Sequence, residues 1–255
     1  MLLDHYAYGN RWRDLCPVEK GLLTGLALAA SLAARAPLAA AVVFVVMAAL
    51  TVVGARIPLR SYLRLLLLPA GFLLAGVAGL LLSLSGGDIL LGTLPATGLA
   101  VYFSYAGLAQ AVLVMTRALA AVAALYFLAL TTPMTEIIGL LRRLRVPALL
   151  LELMVLAYRQ IFIFLQIARE MRLAQASRLG YATTGNSFRS LGVLGANLYL
   201  RAHQRSQQLH RSLVSRGYEN DLRWLERDYP RSNRNLLLAT LVGGSLLVLA
   251  LLLPA

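Results

Sequence analysis

Residues 37–54 read "PLAAAVVFVVMAALTVVG", eighteen positions without a single charge. A helix needs roughly 20 apolar residues to cross the hydrocarbon core of a bilayer, so this run alone points to a membrane span. The rest of the chain repeats the pattern. Uncharged or nearly uncharged runs cover residues 21–34, ending at Arg35, then 65–85, 107–130 with Arg117 inside, 148–168 with Glu152 and Arg159 inside, and 236–253. Of 255 residues, 59% are hydrophobic and 14% charged, against roughly a quarter charged in soluble domains. The expected fold is all-α: a polytopic membrane protein with about five transmembrane helices and a cytoplasmic pair of helices.

Basic residues set the orientation, because Lys and Arg are enriched in short cytoplasmic loops. Arg11, Arg13 and Lys20 put the N-terminus inside, the single Arg35 marks an outer turn, and Arg56, Arg60 and Arg64 bring the chain back. Residues 83–105 carry no Lys or Arg, and Tyr102, Phe103 and Tyr105 suit an outer aromatic belt. Arg142, Arg143 and Arg145 return the chain to the cytoplasm, where the arginine-dense stretch 169–234 must also lie. Two successive basic segments on one side leave no room for a full crossing between them. Residues 148–168 are therefore expected to enter only the inner leaflet or to pack under the bundle. The organisation is a four-span bundle at 1–132, a cytoplasmic or interfacial region at 133–234 and a final transmembrane helix at 235–255.

The net charge of +13 follows from this topology. Aromatic residues are not interleaved with the basic ones as a base-stacking platform requires, which argues against a nucleic-acid partner. One cysteine, Cys16, excludes an internal disulfide and a cysteine-only metal cage. No apolar run precedes "WRDLCP" (12–17), so neither a signal peptide nor a lipid anchor is expected.

The polar insert contains a near-repeat. "SRLGY" starts at Ser177 and "SRGY" at Ser215. Before the second, Leu194, Leu198, Ala202, Leu209 and Leu213 recur at steps of four or seven, beside a stripe of Arg201, Arg205, Gln208, Ser212 and Arg216; both are helical spacings. Ile161, Leu165, Ala168, Arg172, Gln175 and Leu179 mark a second helix running toward the first pair, and "YATTGNS" (181–187) is expected as the loop between. A glycine within two residues of each Ser-Arg places Arg178 and Arg216 near helix C-termini, where a cation also complements the helix dipole. Two such arginines in the one large polar region make a paired docking surface, because a guanidinium fork can grip a carboxylate of an acidic groove on a partner.

Along nearly its whole length the chain resembles the transmembrane (T) component of energy-coupling factor ABC transporters, cobalt-uptake CbiQ type. The residues that carry the likeness are "DHYAYGNRWRDLCPVEK" (4–20), "LRLLLLPAGFLLAG" around Pro69, "TTPMTEIIGLLRRLRVPALLLELMVLAYRQIF" from Thr131 and the two short motifs. In that family an arginine-centred triplet, typically Ala-Arg-Ser or Ala-Arg-Gly, ends each of two coupling helices. The matching positions are Ser177, Arg178 and Leu179, and Ser215, Arg216 and Gly217. Serine replaces the usual alanine in both, and leucine fills the third place of the first. The resemblance implies two cytoplasmic ABC ATPase subunits as partners, one per motif, and a separate substrate-binding (S) membrane component for cobalt, or for nickel as in some relatives. It also implies a multi-pass location in the bacterial cytoplasmic (inner) membrane.

Other chemistry is sparse. His5, His203 and His210 form no ligand cluster, so no metal is expected on this chain, and a nucleotide-binding Gly-Lys-Thr loop is missing. ATP would be bound by the partner ATPases, with no cofactor here and no catalytic residue. The acid-bearing pairs Asp4 with His5 and Glu219 with Asp221 lie in polar stretches where solvated charge is the default. A charge at mid-span costs roughly 2.5–3.5 kcal/mol, so Arg117 needs a partner, and Arg117, Glu136, Glu152 and Arg159 are candidates for intramembrane or interfacial ion pairs. Pro69, Pro133 and Pro147 read as helix boundaries or kinks, and "GLLRRLRVP" (139–147) as a basic amphipathic helix at the inner surface. The rival reading is an intramembrane enzyme or lipid-binding protein with a basic cytoplasmic surface.

Overall fold

Apolar periodicity is realised almost entirely as helix. The structure is a computed structural model that describes residues 2–83, 89–93, 100–103, 105–218, 229 and 233–253. The helices are α1 (Leu2–Gly9), α2 (Pro17–Ala33), α3 (Pro37–Ala49), α4 (Leu59–Leu81), α5 (Tyr105–Thr131), α6 (Met134–Arg143), α7 (Ala148–Ser177), α8 (Thr184–Val214) and α9 (Asn233–Leu252). Proline opens α2 and α3, where its missing N–H costs nothing and its fixed φ favours the first turn. Pro69 is different: it lies inside α4 and does not end it. The all-α architecture holds, with one addition between α4 and α5. Three short strands, β1 (Leu82–Ser83), β2 (Ile89–Thr93) and β3 (Ala100–Phe103), form an antiparallel sheet with β3 in the centre. Tyr102 and Phe103, expected in an outer aromatic belt, are in β3.

Contacts divide the chain into two units, residues 1–137 with 228–255, and residues 138–227. In the first, α5 is the central helix, touched by α1, α2, α3 and α4, while α9 lies on α2 and α3. Its core is built mainly from small side chains: Ala27, Ala30, Ala39, Ala40, Ala120, Ala123, Ala124 and Ala250 are all buried around Val43, Met47 and Phe127. Small residues let helix backbones approach closely, which is how helices associate where lipid removes the hydrophobic drive between them. The large apolar groups point outward instead. Leu68 is 83% exposed and Phe72 81%, as expected of a surface whose solvent is hydrocarbon.

One close approach is that of α9 on α2. A Cβ at Gly243 would stand 2.7–2.8 Å from Leu26 side-chain atoms, whereas one at the neighbouring Gly244 would meet nothing. Gly243→Ala is therefore expected to cost about 1–3 kcal/mol by overpacking, and Gly244→Ala to be neutral or slightly stabilising. Unfolding of both variants in mixed detergent micelles checks this. A second tight spot ends α3, which widens into a π-helical turn at Leu50–Gly54, and there a Cβ on Gly54 would collide with the Trp12 ring. Trp12 in turn meets Phe127 edge to face at 5.7 Å between ring centres.

Among the described residues five helices are long and apolar enough to cross a membrane: Pro37–Gly54, Leu59–Val77, Gly107–Thr131, Ala148–Ser177 and Asn233–Leu252. The number matches the expectation, but the membership differs. α2, expected as a span over 21–34, has 17 residues, about 26 Å of helix against a core of about 30 Å. α7, expected only to enter the inner leaflet over 148–168, is one continuous helix of 30 residues reaching Ser177. The chain is a multi-pass membrane protein.

In the second unit, α6 turns into α7 at Val146 and Pro147, and α7 turns back into α8. The expected loop at 181–187 is shorter than anticipated. Thr183 caps α8, its hydroxyl oxygen accepting from the Asn186 N–H at 3.2 Å, so Thr184 to Ser187 already belong to the helix. Glu152, buried near the start of α7, accepts a 2.8 Å hydrogen bond from the Tyr218 hydroxyl just past α8.

Candidate functional site

The two Ser-Arg triplets fold into the same device. At the end of α7, the Arg178 N–H reaches the Gln175 carbonyl at 3.2 Å, Leu179 N–H reaches Ala176 at 3.0 Å, and Gly180 N–H returns to Gln175 at 2.9 Å. At the end of α8, Arg216 reaches Leu213 at 3.0 Å, Gly217 reaches Val214 at 3.0 Å, and Tyr218 returns to Leu213 at 3.1 Å. Each set is a Schellman cap, in which the two residues past the helix satisfy carbonyls of its last turn. Even the serines match: Ser177 Oγ donates to the Ala174 carbonyl at 2.9 Å and Ser215 Oγ to that of Ser212 at 3.0 Å. Arginine thus occupies the last position before the chain reverses, and the third residue takes the left-handed conformation, Leu179 at φ +57° and Gly217 at φ +75°.

Glycine is the usual occupant of that position. For a leucine it costs roughly 1–2 kcal/mol. A glycine stands within two residues of each Ser-Arg, but only Gly217 takes the left-handed position; at the first motif Leu179 takes it and Gly180 follows. Gly180 has its own reason to lack a side chain: a Cβ there would stand 2.7 Å from Ser190 Oγ and 2.8 Å from the Gln175 carbonyl oxygen. Ser190 Oγ donates to the Gly180 carbonyl at 2.8 Å, Gln175 Nε2 to the Ser190 carbonyl at 3.0 Å and Tyr181 Oη to Gln175 Oε1 at 2.7 Å. The Arg172 guanidinium stands over the Tyr181 ring at 5.8 Å. The corner between α7 and α8 is fixed from several sides.

Arg178 and Arg216 are both exposed, and neither guanidinium bonds to a described residue. α8, which separates them, has 31 residues, so the motifs stand about 46 Å apart along its axis. No residue of α8 is fully buried, and Phe188 and Tyr199 are exposed beside Arg189, Arg201 and Arg205.

The four candidates for ion pairs stand in different surroundings. Arg117 donates from Nε to the Ala34 carbonyl at 2.6 Å, the C-terminal cap position of α2. Its partner is a helix end, where the dipole favours a cation. Glu136 accepts from the Tyr229 hydroxyl, and Glu152 from Tyr218 as described. Arg159 is exposed on α7. Glu219 and Asp221 lie outside the described residues.

Sequence reasoning counted Lys20 only as a topological charge. It is 3% exposed and donates from Nζ to the Thr131 carbonyl at 3.0 Å, where α5 ends. Asn10 Nδ2 approaches the Leu130 and Thr131 carbonyls, each at 3.3 Å. Together they satisfy acceptors that a helix end leaves open. Lys20 precedes the uncharged run that begins at Gly21. Burial lowers its pKa from the ordinary value, opposed by the negative charge of Glu136, then of Asp14. The signal available in the sequence was its place one residue before that run. Among the described residues no three His, Cys, Asp or Glu gather as metal ligands, and His203 Nε2 instead meets Gln207 Nε2 at 3.0 Å.

Comparison with known proteins now bears on these features. Residues 9–224 match the family model of the cobalt transport protein CbiQ. The chain is 37% identical over 224 residues to the cobalt transport protein CbiQ of Rhodobacter capsulatus, covering 88% of this chain and 86% of that one. It is 32% identical over 220 residues to the CbiQ of Salmonella typhimurium, covering 86% and 97%. A putative fused cobalt transport protein, CbiMQ, of Methanocorpusculum labreanum is 34% identical over 165 residues, 65% of this chain and 28% of the fusion. The two arginine-bearing helix ends fall within the matched span, and the chain belongs to the CbiQ family of cobalt transport proteins.

Proposed function

We propose that this chain is the coupling subunit of an ATP-driven cobalt-uptake transporter in the bacterial inner membrane. Two cytoplasmic ABC ATPase subunits dock at the Arg178 and Arg216 ends, and their closing and opening passes through the chain to a separate membrane subunit that captures the metal. The chain holds no cofactor and catalyses no reaction, and ATP belongs to its partners. The arginine distribution supports a cytoplasmic N-terminus. Functionally, residues 133–234 act as the coupling region between the helices of 1–132 and the last helix at 235–255, although among the described residues three rather than four span-length helices fall within 1–132.

The observation that carries this reading is the pair of matched helix ends, each presenting an exposed arginine. Their separation of about 46 Å along α8 exceeds the roughly 30 Å diameter of a small domain, which favours two docking bodies over one. The relatives' names support cobalt as the substrate. In the Methanocorpusculum fusion the match covers 28% of the length, leaving room for a second transport component on the same polypeptide.

The test is co-purification in detergent with the ABC ATPase of the same transporter. Stoichiometric capture that depends on Arg178 and Arg216 but tolerates Arg189→Ala and Arg205→Ala supports docking. Failure to capture, or equal small losses at every arginine, overturns it and favours an anionic-lipid surface.

A further inference from the structure

We propose that Leu179 is a specificity-determining contact of the first docking end, its side chain seating in an apolar recess of the ATPase beside the carboxylate that receives Arg178. The inference rests on the docking reading and assigns the partner's surface at that end a definite chemistry, apolar next to acidic.

Three observations carry it. Leu179 holds the left-handed conformation at φ +57°, which its counterpart Gly217 adopts without a side chain. It is also 72% exposed, so packing within the chain does not repay that conformation. The hydrophobic contact that often accompanies such a cap joins the residues here occupied by Gly180 and Gln175, and it cannot form with those side chains. Leu179 is therefore not a structural plug for its own helix end. Its backbone closes the cap, as Gly217 does without a side chain, so the exposed leucine side chain is the part left without a local role, and it points outward to function.

The third observation is rigidity. Gly180, Ser190, Gln175 and Tyr181 lock the corner by the hydrogen bonds given above, so the backbone on either side cannot relax the strain. Leu179 is presented in one geometry before any partner arrives, which lowers the ordering cost of binding. Its surroundings choose the partner class. Arg178 precedes it and Thr183, Thr184 and Asn186 follow, all exposed; an apolar group within this polar, cationic rim suits the centre of a protein contact with an acidic surface. At the second end Gly217 offers no side chain, so the two ends are unequal: both grip by arginine, and only the first adds an apolar contact.

The experiment measures affinity for the purified ATPase and stability in detergent for Leu179→Gly, Leu179→Asn and Arg178→Ala. Leu179→Gly relieves the backbone strain, so its melting temperature is expected to hold or rise while ATPase affinity falls roughly tenfold or more. Leu179→Asn, which also tolerates this conformation, should lose affinity similarly. If Leu179→Gly stabilises the chain and leaves affinity unchanged while Arg178→Ala weakens it, the role of Leu179 is overturned and docking stands. If Arg178→Ala also leaves affinity unchanged, the docking reading itself falls. A bimane label on Leu179→Cys in nanodiscs separates lipid from protein: an apolar shift on adding ATPase supports the inference, and an apolar signal already present without ATPase overturns it in favour of the membrane.

Discussion

Lys20→Met is expected to destabilise the chain by about 1–3 kcal/mol, the cost of leaving a buried acceptor without its charged donor. Three effects set the size. The Thr131 carbonyl loses a charged donor held at 3.0 Å, and Glu136 loses the attraction of a buried cation. Against these, the desolvation that lowers the Lys20 pKa disappears with the ammonium. The double variant Lys20→Met/Glu136→Gln tests the division. If the charges are coupled, it should recover about 1 kcal/mol relative to the sum of the single losses. Strict additivity in SDS-induced unfolding would instead assign the whole cost to the α5 end and none to Glu136. The variant also has a functional reading, because Glu136 bonds Tyr229 and the chain leaves the first unit just after Ile137 and re-enters at Asp228. Loosening that point should reduce transport more than ATPase capture.

What the sequence revealed and what it hid follow the range of the interactions involved. Apolar runs, proline starts and arginine-rich stretches act locally, so the helices and the two arginine-bearing helix ends could be placed from residues alone. Partners could not. Arg117 needs a partner by simple energetics, yet a carbonyl at Ala34, 83 positions away, leaves no mark in composition. Lys20 sits among Arg11, Arg13 and Arg35 and reads like them, and only the end of α5 packed against it distinguishes it. At the first motif the glycine within two residues correctly placed Arg178 at a helix end, but which residue takes the left-handed position was not legible: it is Leu179, while the small size of Gly180 serves Ser190. For α7, charge logic and continuous helicity pulled apart: basic segments on both sides argued against a crossing, while thirty residues form one uninterrupted helix.

Single Arg178→Ala and Arg216→Ala variants are expected to lose ATPase affinity by at least a hundredfold, and the double variant to show no specific binding. Truncating one partner of a desolvated charge pair costs about 2–5 kcal/mol, which already spans this range. Linkage raises it further. Under the docking proposal the two sites, at the ends of α7 and α8, engage the ATPases bivalently, and removing one forfeits an avidity of 10²–10⁴ without touching the other contact. A lipid-binding surface behaves otherwise, since each basic residue contributes about 1 kcal/mol and all contribute alike. Arg189→Ala and Arg205→Ala, both exposed on α8, are the internal controls. The readout is the equilibrium affinity of the nanodisc-reconstituted chain together with the stoichiometry of the captured ATPase. Stoichiometry carries additional information, because the caps match in backbone but differ at Leu179 and Gly217. If one kind of ATPase serves both ends, either substitution weakens the same complex, and Arg178→Ala weakens it less because Leu179 still holds that end. If two kinds serve them, each substitution releases its own partner and leaves the other bound.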